Sequence, residues 1–436
     1  MVQWMPREQN LLQLFEVNPA DGSKQQRFRE EQPTWIDWIS GLYWLADGGF
    51  LMIRDYDGWE QIYLHNPDGS LRQKLTHGRK WKTQILRIDE KAEMVYFTSC
   101  GEISTRTDLY CVRFNGKDQR RLTFGEYSHK NISLSPDNSW FLTFYENVGT
   151  PTRVAVVNVK TGKRREVADS KGPDFDTKRD EYCQSEMLWM KTPEGFELPA
   201  YITWPKNMQE GKKYPVIVQV YGGPNAGTVA ERWIPLRFKT EENYIRISLD
   251  HRGSGHCGKA GMNYMHRNLG KWEMEDYIAW VKLLRTYPCV DSTRIMITGA
   301  SYGGYMTSMA LTYGGEYFQY GFAKSGVVDW ALYDSHYTER YMDCPQDNPE
   351  GYKAASVLTY AGRYQTHGPS MLYLEHGMMD DNVHVQQSIQ LVDTLQHLNK
   401  KFGMMFYPNE RHSWIGVKMN FTSETMQQFI SRYLLN

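Results

Sequence analysis

Five residues, Gly299-Ala300-Ser301-Tyr302-Gly303, constrain the fold of this 436-residue chain more than any other stretch. Arg294-Ile295-Met296-Ile297-Thr298 precedes them and reads as a buried strand. Gly304 to Leu311 follows and reads as a helix rich in small residues. Strand, tight turn and helix form the setting that a G-x-S-x-G elbow requires. A serine in such a turn takes strained backbone angles, and glycines beside it let strand and helix close up. Its hydroxyl then stands clear of the sheet. The next N–H, that of Tyr302, points to where an oxyanion would form.

From residue 214 onward strands and helices alternate. Residues 216–220, 245–249, 371–375 and 404–407 read as further strands, and residues 273–285, 386–398 and 422–435 as helices. The last helix is expected to be capped by Thr422 or Ser423. Alternation of this kind predicts a mostly parallel sheet covered by helices, with function at the carboxyl ends of the strands. Chemistry-bearing residues follow those ends: Tyr221-Gly222-Gly223-Pro224, Asp250-His251-Arg252-Gly253, Ser301, His376 to His384, and Pro408 to His412. Ser301, an aspartate and His412 thus occur in the order found in α/β-hydrolases. A serine hydroxyl needs an imidazole to take its proton, and the imidazole needs a carboxylate to fix its tautomer. Asp380 and Asp381 both stand at the acid position, and spacing does not choose between them. Asp380, Asp381 and His384 also allow a metal reading, but no second ligand cluster accompanies them.

The first 170 residues repeat. Gly22, Gly69, Gly116 and Gly162 each follow an apolar run and fall 46 or 47 residues apart. Leu75-Thr76-His77-Gly78 and Leu122-Thr123-Phe124-Gly125 repeat at the same 47. Short strands at this period are the signature of β-propeller blades. The expected organisation is a partial β-propeller of about four blades over 1–170, a linker over 171–184, and an α/β-hydrolase domain over 185–436.

Charge and composition exclude several classes. The chain has 50 basic and 51 acidic residues, which gives no basic surface for a nucleic-acid partner. No run of eighteen apolar residues predicts a membrane span. The six cysteines are scattered and form no C-x-x-C pair, so neither a zinc site nor a disulfide framework is expected. The first residues carry no signal-peptide pattern. The expected location is therefore cytoplasmic, or periplasmic or secreted if the natural N-terminus is missing.

Several of these stretches together resemble the prolyl oligopeptidase family, in its dipeptidyl peptidase IV branch. They are Tyr221-Gly222-Gly223-Pro224, Leu249 to Gly255, Gly299 to Tyr305, Tyr337-Thr338-Glu339-Arg340-Tyr341 and His376 to His384. The match is dense over 185–436 and looser over the blades. The resemblance implies a serine peptidase that cuts after proline, or less well after alanine, near a free amino terminus. It implies peptide substrates, no cofactor, and often a homodimer. It makes Ser301 the nucleophile, Asp380 rather than Asp381 the acid, and His412 the base. Tyr221 and Tyr302 resemble the oxyanion-hole donors, and Asn382 matches a residue that holds a substrate carbonyl. Val327, Trp330, Tyr333, Tyr337 and Val383 match the walls of a proline pocket, where a flat pyrrolidine ring fits an uncharged aromatic box.

The branch also has a longer N-terminal part, expected to be missing here together with the paired glutamates that grip the substrate's ammonium. Glu30-Glu31 and Glu241-Glu242 are adjacent pairs outside the family's context and take no role. Other readings are a broader serine oligopeptidase, a tripeptidyl peptidase or an esterase using the same triad. A non-catalytic propeller interaction protein is the reading from another class.

Overall fold

The glycine period of the first part is a period of antiparallel sheets. The computed structural model describes residues 1–173, 175, 184–206, 208–234 and 243–435. Most of the expected linker, Cys183 and the Glu241-Glu242 pair lie outside the described residues. The chain divides into two units. One comprises Met1–Arg179, Ala230–Pro235 and His256–Asn263, the other Asp180–Val229, Leu236–Gly255 and Tyr264–Asn436.

Among the described residues the first unit contains four sheets in chain order, over residues 2–31, 43–74, 81–121 and 128–169. The first has three strands and the others four, each strand paired antiparallel with the next. Gly22, Gly69, Gly116 and Gly162 all sit in the turn that joins the last two strands of a sheet, with φ between 69° and 89°. A left-handed turn is needed at the same place in every sheet, which is why glycine recurs there. At Gly69 a Cβ would also lie 1.7 Å from the Arg27 carbonyl oxygen.

The Leu-Thr repeat has its own cause. Leu75 N–H donates to Ile62 O and Leu122 N–H to Leu109 O, each at 2.8 Å, which extends the outer strand pairing. Thr76 and Thr123 hydroxyls donate to the buried Gln61 and Asp108 side chains, both at 2.6 Å. The leucines enter the seams between sheets: Leu75 packs with Ile62, Ile85 and Phe97, and Leu122 with Leu109, Phe141 and Tyr145. Each seam draws its apolar residues from two consecutive sheets, as in propeller blades.

Within this unit Glu30 is a structural residue. Its carboxylate takes Arg54 Nε at 2.6 Å and Gln32 Nε2 at 2.5 Å, and both charged side chains are buried. Glu31 is exposed and pairs with the exposed Arg29.

Among the described residues the second unit is built on an α/β-hydrolase sheet of eight strands. In chain order they are β1 (Gln184–Lys191), β2 (Glu197–Trp204), β3 (Tyr214–Gln219), β4 (Ile245–Leu249), β5 (Val290–Ala300), β6 (Tyr320–Lys324), β7 (Met371–Gly377) and β8 (Gly403–Tyr407). The spatial order is β1-β2-β4-β3-β5-β6-β7-β8. The first two pairings are antiparallel and all the rest parallel. β3 is a nearly continuous run of buried side chains and β5 buries Ile295, Met296 and Ile297 beside it, as strands covered on both faces must. Helices Lys271–Leu284, Tyr302–Thr312, Gln386–His397 and Val417–Ile430 connect or close it.

Two details differ from the sequence expectation. β6 is a strand that the pattern did not announce: Tyr-Gly-Phe-Ala-Lys is short, and its glycine weakens the β signal. The last helix starts at Val417 after Gly416, whose φ is 64°, so neither Thr422 nor Ser423 caps it. The Thr422 hydroxyl lies mid-helix and bonds Tyr407 Oη at 2.9 Å and Trp414 Nε1 at 2.8 Å.

The two neighbours Glu30 and Glu31 should respond differently to truncation. Glu30→Ala leaves the Arg54 guanidinium buried and unpaired and should cost about 3–5 kcal/mol. Glu31→Ala removes only a surface pair and should cost under about 1 kcal/mol. Urea unfolding of both variants beside the parent chain measures the difference.

Candidate active site

β5 ends at Ala300 and the next helix starts at Tyr302, so Ser301 alone turns the chain. Its φ of 58° and ψ of −120° are costly for a residue with a Cβ. The surrounding glycines show what enforces this. A Cβ on Gly299 or Gly303 would lie 2.5 Å from the Val220 carbonyl oxygen. One on Gly304 would lie 2.6 Å from Lys324 O. The helix is thus pressed against the ends of β3 and β6, and Ser301 N–H donates to Lys324 O at 2.9 Å. Tyr302 is the first residue of the helix, so its N–H has no intrahelical acceptor.

The acid and the imidazole meet. His412 Nδ1 lies 2.8 Å from Asp380 Oδ2. Asp380 Oδ1 accepts the N–H groups of Asn382 and Val383, both at 3.0 Å. Oδ2 also lies 3.1 Å from Nε2 of the fully buried His376. Burial pushes the Asp380 carboxyl up, but the hydrogen bonds from His376, His412 and Asn382 outweigh it and hold the group well below its usual range. Asp381 points elsewhere and pairs with the exposed Arg411 at 2.8 Å. His384 is exposed. The Ser301 hydroxyl makes no cap bond to its helix and is bonded to neither Asp380 nor His412 among the described residues.

The aromatic residues form one cluster. Trp330 is buried, and its ring centroid lies 5.3 Å from Tyr302, 5.7 Å from Tyr333 and 6.0 Å from Tyr337. Tyr333 and Tyr337 meet edge to face at 5.6 Å. Tyr221 joins through Tyr302 at 6.2 Å. Val327 and Val383 are buried. Asn382 is tied to the cluster, since Tyr333 Oη donates to Asn382 Oδ1 at 2.6 Å. The loop after β3 that carries Tyr221 is pinned by His251, whose Nε2 lies 2.9 Å from Gly222 O.

Two residues of the site escaped the sequence reading. Glu273 is fully buried in the first turn of helix Lys271–Leu284. Its Oε1 accepts Tyr302 Oη at 2.5 Å and Gly270 N–H at 3.0 Å. Burial raises this carboxyl to about 7 despite those hydrogen bonds. The signal was available: Glu273 shares a helical face with Tyr277, Trp280, Val281 and Leu284, and a carboxylate on a core face demands a partner. His376 stood inside a quoted motif, but no spacing rule ties it to Asp380 rather than to solvent.

Residues 233–436 match the prolyl oligopeptidase family, and residues 1–152 match the dipeptidyl peptidase IV (DPP IV) N-terminal region. A curated relative from Uncinocarpus reesii, named "Probable dipeptidyl-aminopeptidase B", is 30% identical over 452 residues, covering 99% of this chain and 49% of the relative. A relative of the same name from Coccidioides posadasii is 32% identical over 401 residues, covering 89% of this chain and 43% of its own. The chain thus spans about half the length of the curated relatives it matches. The crystal structure of Porphyromonas gingivalis dipeptidyl peptidase 4 superposes with a TM-score of 0.89 at 30% identity, over 99% of this chain and 62% of that one. No helix among the described residues is long and apolar enough to cross a membrane.

The Glu273 carboxyl makes stability depend on pH. The unfolded chain releases this proton near 4.5, whereas the folded chain holds it to about 7. Between those values the folded state binds more protons, so this group's contribution to stability falls as pH rises. Glu273→Gln keeps an acceptor for Tyr302 and removes the titration. It should therefore gain on the parent between pH 5 and pH 8, by on the order of 3 kcal/mol at most. Thermal unfolding of both chains at the two pH values tests this, and a pH-independent difference would contradict it.

Proposed function

The chain belongs to the prolyl oligopeptidase family of serine peptidases, in its dipeptidyl peptidase IV branch, and on that premise we propose that it removes dipeptides from peptide amino termini through an acyl-enzyme on Ser301. The observations that carry this reading are the 2.8 Å bond between His412 and Asp380 and the strained elbow at Ser301. In this reading Asp380 accepts Nδ1–H of His412 and leaves Nε2 as the base. Ser301 Oγ gives its proton to Nε2 and attacks the scissile carbonyl. The oxyanion is received by Tyr302 N–H, which lacks an intrahelical acceptor, and by the Tyr221 hydroxyl. His412 then protonates the leaving amine, and water repeats the sequence to release the acyl group.

The aromatic cluster supports the preference for proline. Tyr302, Trp330, Tyr333 and Tyr337, with Val327 and Val383, offer flat apolar surfaces and no charged side chain. Asn382, aimed by Tyr333, is placed in this reading to hold a carbonyl of the bound peptide. A broader oligopeptidase is the second reading, and one observation favours it. The Glu30-Glu31 pair, which takes no role in the sequence reading, is committed to Arg54 and Arg29.

The proposal also takes the protein as a homodimer. β8 is an edge strand of the hydrolase sheet, and near it in sequence Ile415 is 88% exposed and Val417 83% exposed. Met404 and Phe421 are also exposed. An unpaired edge beside apolar side chains is a surface suited to a second copy.

Ser301→Ala should abolish hydrolysis of Gly-Pro and Ala-Pro amides and labelling by a fluorophosphonate, with losses of roughly 10⁴-fold or more. Retained activity would remove Ser301 from the mechanism. Equal turnover of free and amine-blocked peptides would select the broader reading. Light scattering on Val417→Asp should show a smaller species than the parent, and an unchanged mass would exclude this edge as the interface.

A further inference from the structure

We propose that His376 is a positioning residue that locks the acid and the substrate-holding loop into one turn. The inference rests on the reading of Asp380 as acid and Asn382 as carbonyl clamp. It concerns what holds them, and the aspects of fold and chemistry already described do not require it.

His376 lies near the end of β7, and its side chain is fully buried. Nε2 lies 2.7 Å from Val383 O and 3.1 Å from Asp380 Oδ2. A backbone carbonyl and an ionised carboxylate only accept, so Nε2 carries the hydrogen. Nδ1 lies 2.7 Å from Ser388 Oγ, on helix Gln386–His397. Both ring nitrogens thus have partners, Nε2 on the loop and Nδ1 on the helix. The shorter bond goes to Val383, so the ring binds the loop first and the carboxylate second.

Residues 380–383 then form one closed circuit. Asp380 Oδ1 accepts the N–H groups of Asn382 and Val383, and Val383 O returns to His376. The same four residues include the acid, the residue bonded to Tyr333, and a pocket wall. Loss of the His376 donor releases Val383 O and one side of the Asp380 carboxylate together. It therefore displaces the imidazole's anchor and the carbonyl clamp at once. A misplacement of about 1 Å at such a centre costs on the order of 10²-fold in rate.

This gives a kinetic signature that differs from loss of the acid itself. Asp380→Asn should lower kcat and leave KM nearly unchanged. His376→Phe, of similar size but with no donor, should lower kcat by about 10²-fold and raise KM as well. His376→Gln places an amide N–H where Nε2 stands, and should recover most of the loss. Ser388→Ala removes only the partner of Nδ1 and should fall between. The assay is hydrolysis of Gly-Pro and Ala-Pro amides by the full chain, with thermal unfolding run on each variant. His376→Phe with parental kcat and KM overturns the inference, as does His376→Gln with the same loss as His376→Phe. If neither His376 variant folds, Ser388→Ala decides: parental kinetics overturn the inference and a roughly tenfold loss upholds it. An active Asp380→Asn would instead overturn the underlying reading of the acid, which keeps the two failures apart.

Discussion

The carboxylate of Asp380 is the interaction on which the site depends. It collects the His412 imidazole, two backbone N–H groups and the buried His376 around one side chain. A carboxylate removed from water needs such donors, because without them burial would drive it to take up a proton. With them it stays ionised, and the carboxylate faces His412 Nδ1 at 2.8 Å. The ends of β7 and β8 lie side by side, with Gly377 paired to Tyr407, which brings the two loops within reach.

The elbow imposes a complementary demand on the backbone. Ser301 is held at a positive φ only because the strand and helix beside it cannot separate, and they cannot separate because three glycines let the chain pass within contact of Val220 O and Lys324 O. The strain at Ser301 and the close packing of the helix are one feature. Tyr302 extends it: its ring joins the aromatic cluster and its hydroxyl ends on the buried Glu273. A single residue therefore presents an N–H at the helix start and ties the aromatic cluster to Glu273.

Much of this was legible in the residues because it rests on local rules. Glycine at a left-handed turn every 46 or 47 residues marked the sheets, and Ser, Asp and His past strand ends marked the candidate site. What stayed hidden depends on contacts between distant elements. Asp380 and Asp381 are equivalent in spacing, and the structure separates them by pointing one at His412 and the other at Arg411. Thr422 reads as a helix cap because threonine favours that position, but its hydroxyl serves Tyr407 and Trp414 instead. Glu30 has the sequence look of a surface pair with Glu31 and is in fact the partner of a buried arginine.

The Thr422 contacts bear on His412 itself. His412 sits in a loop after β8, where no ladder holds it, so its position relies on side chains further on. Trp414, two residues later, stacks on Tyr407 at 4.4 Å and donates to Thr422. Lys324, whose carbonyl anchors Ser301 N–H, places its ammonium 3.9 Å from the centre of the Trp414 ring. Burial lowers that ammonium's pKa, opposed by the charge of Glu375, which in turn accepts Tyr407 Oη at 2.7 Å. Lys324 thus bonds the Ser301 backbone through its carbonyl and touches the loop of His412 through its side chain. The elbow is fixed by glycines that permit contact and the imidazole by aromatic and polar side chains that enforce it, and the two arrangements meet at the last residue of β6.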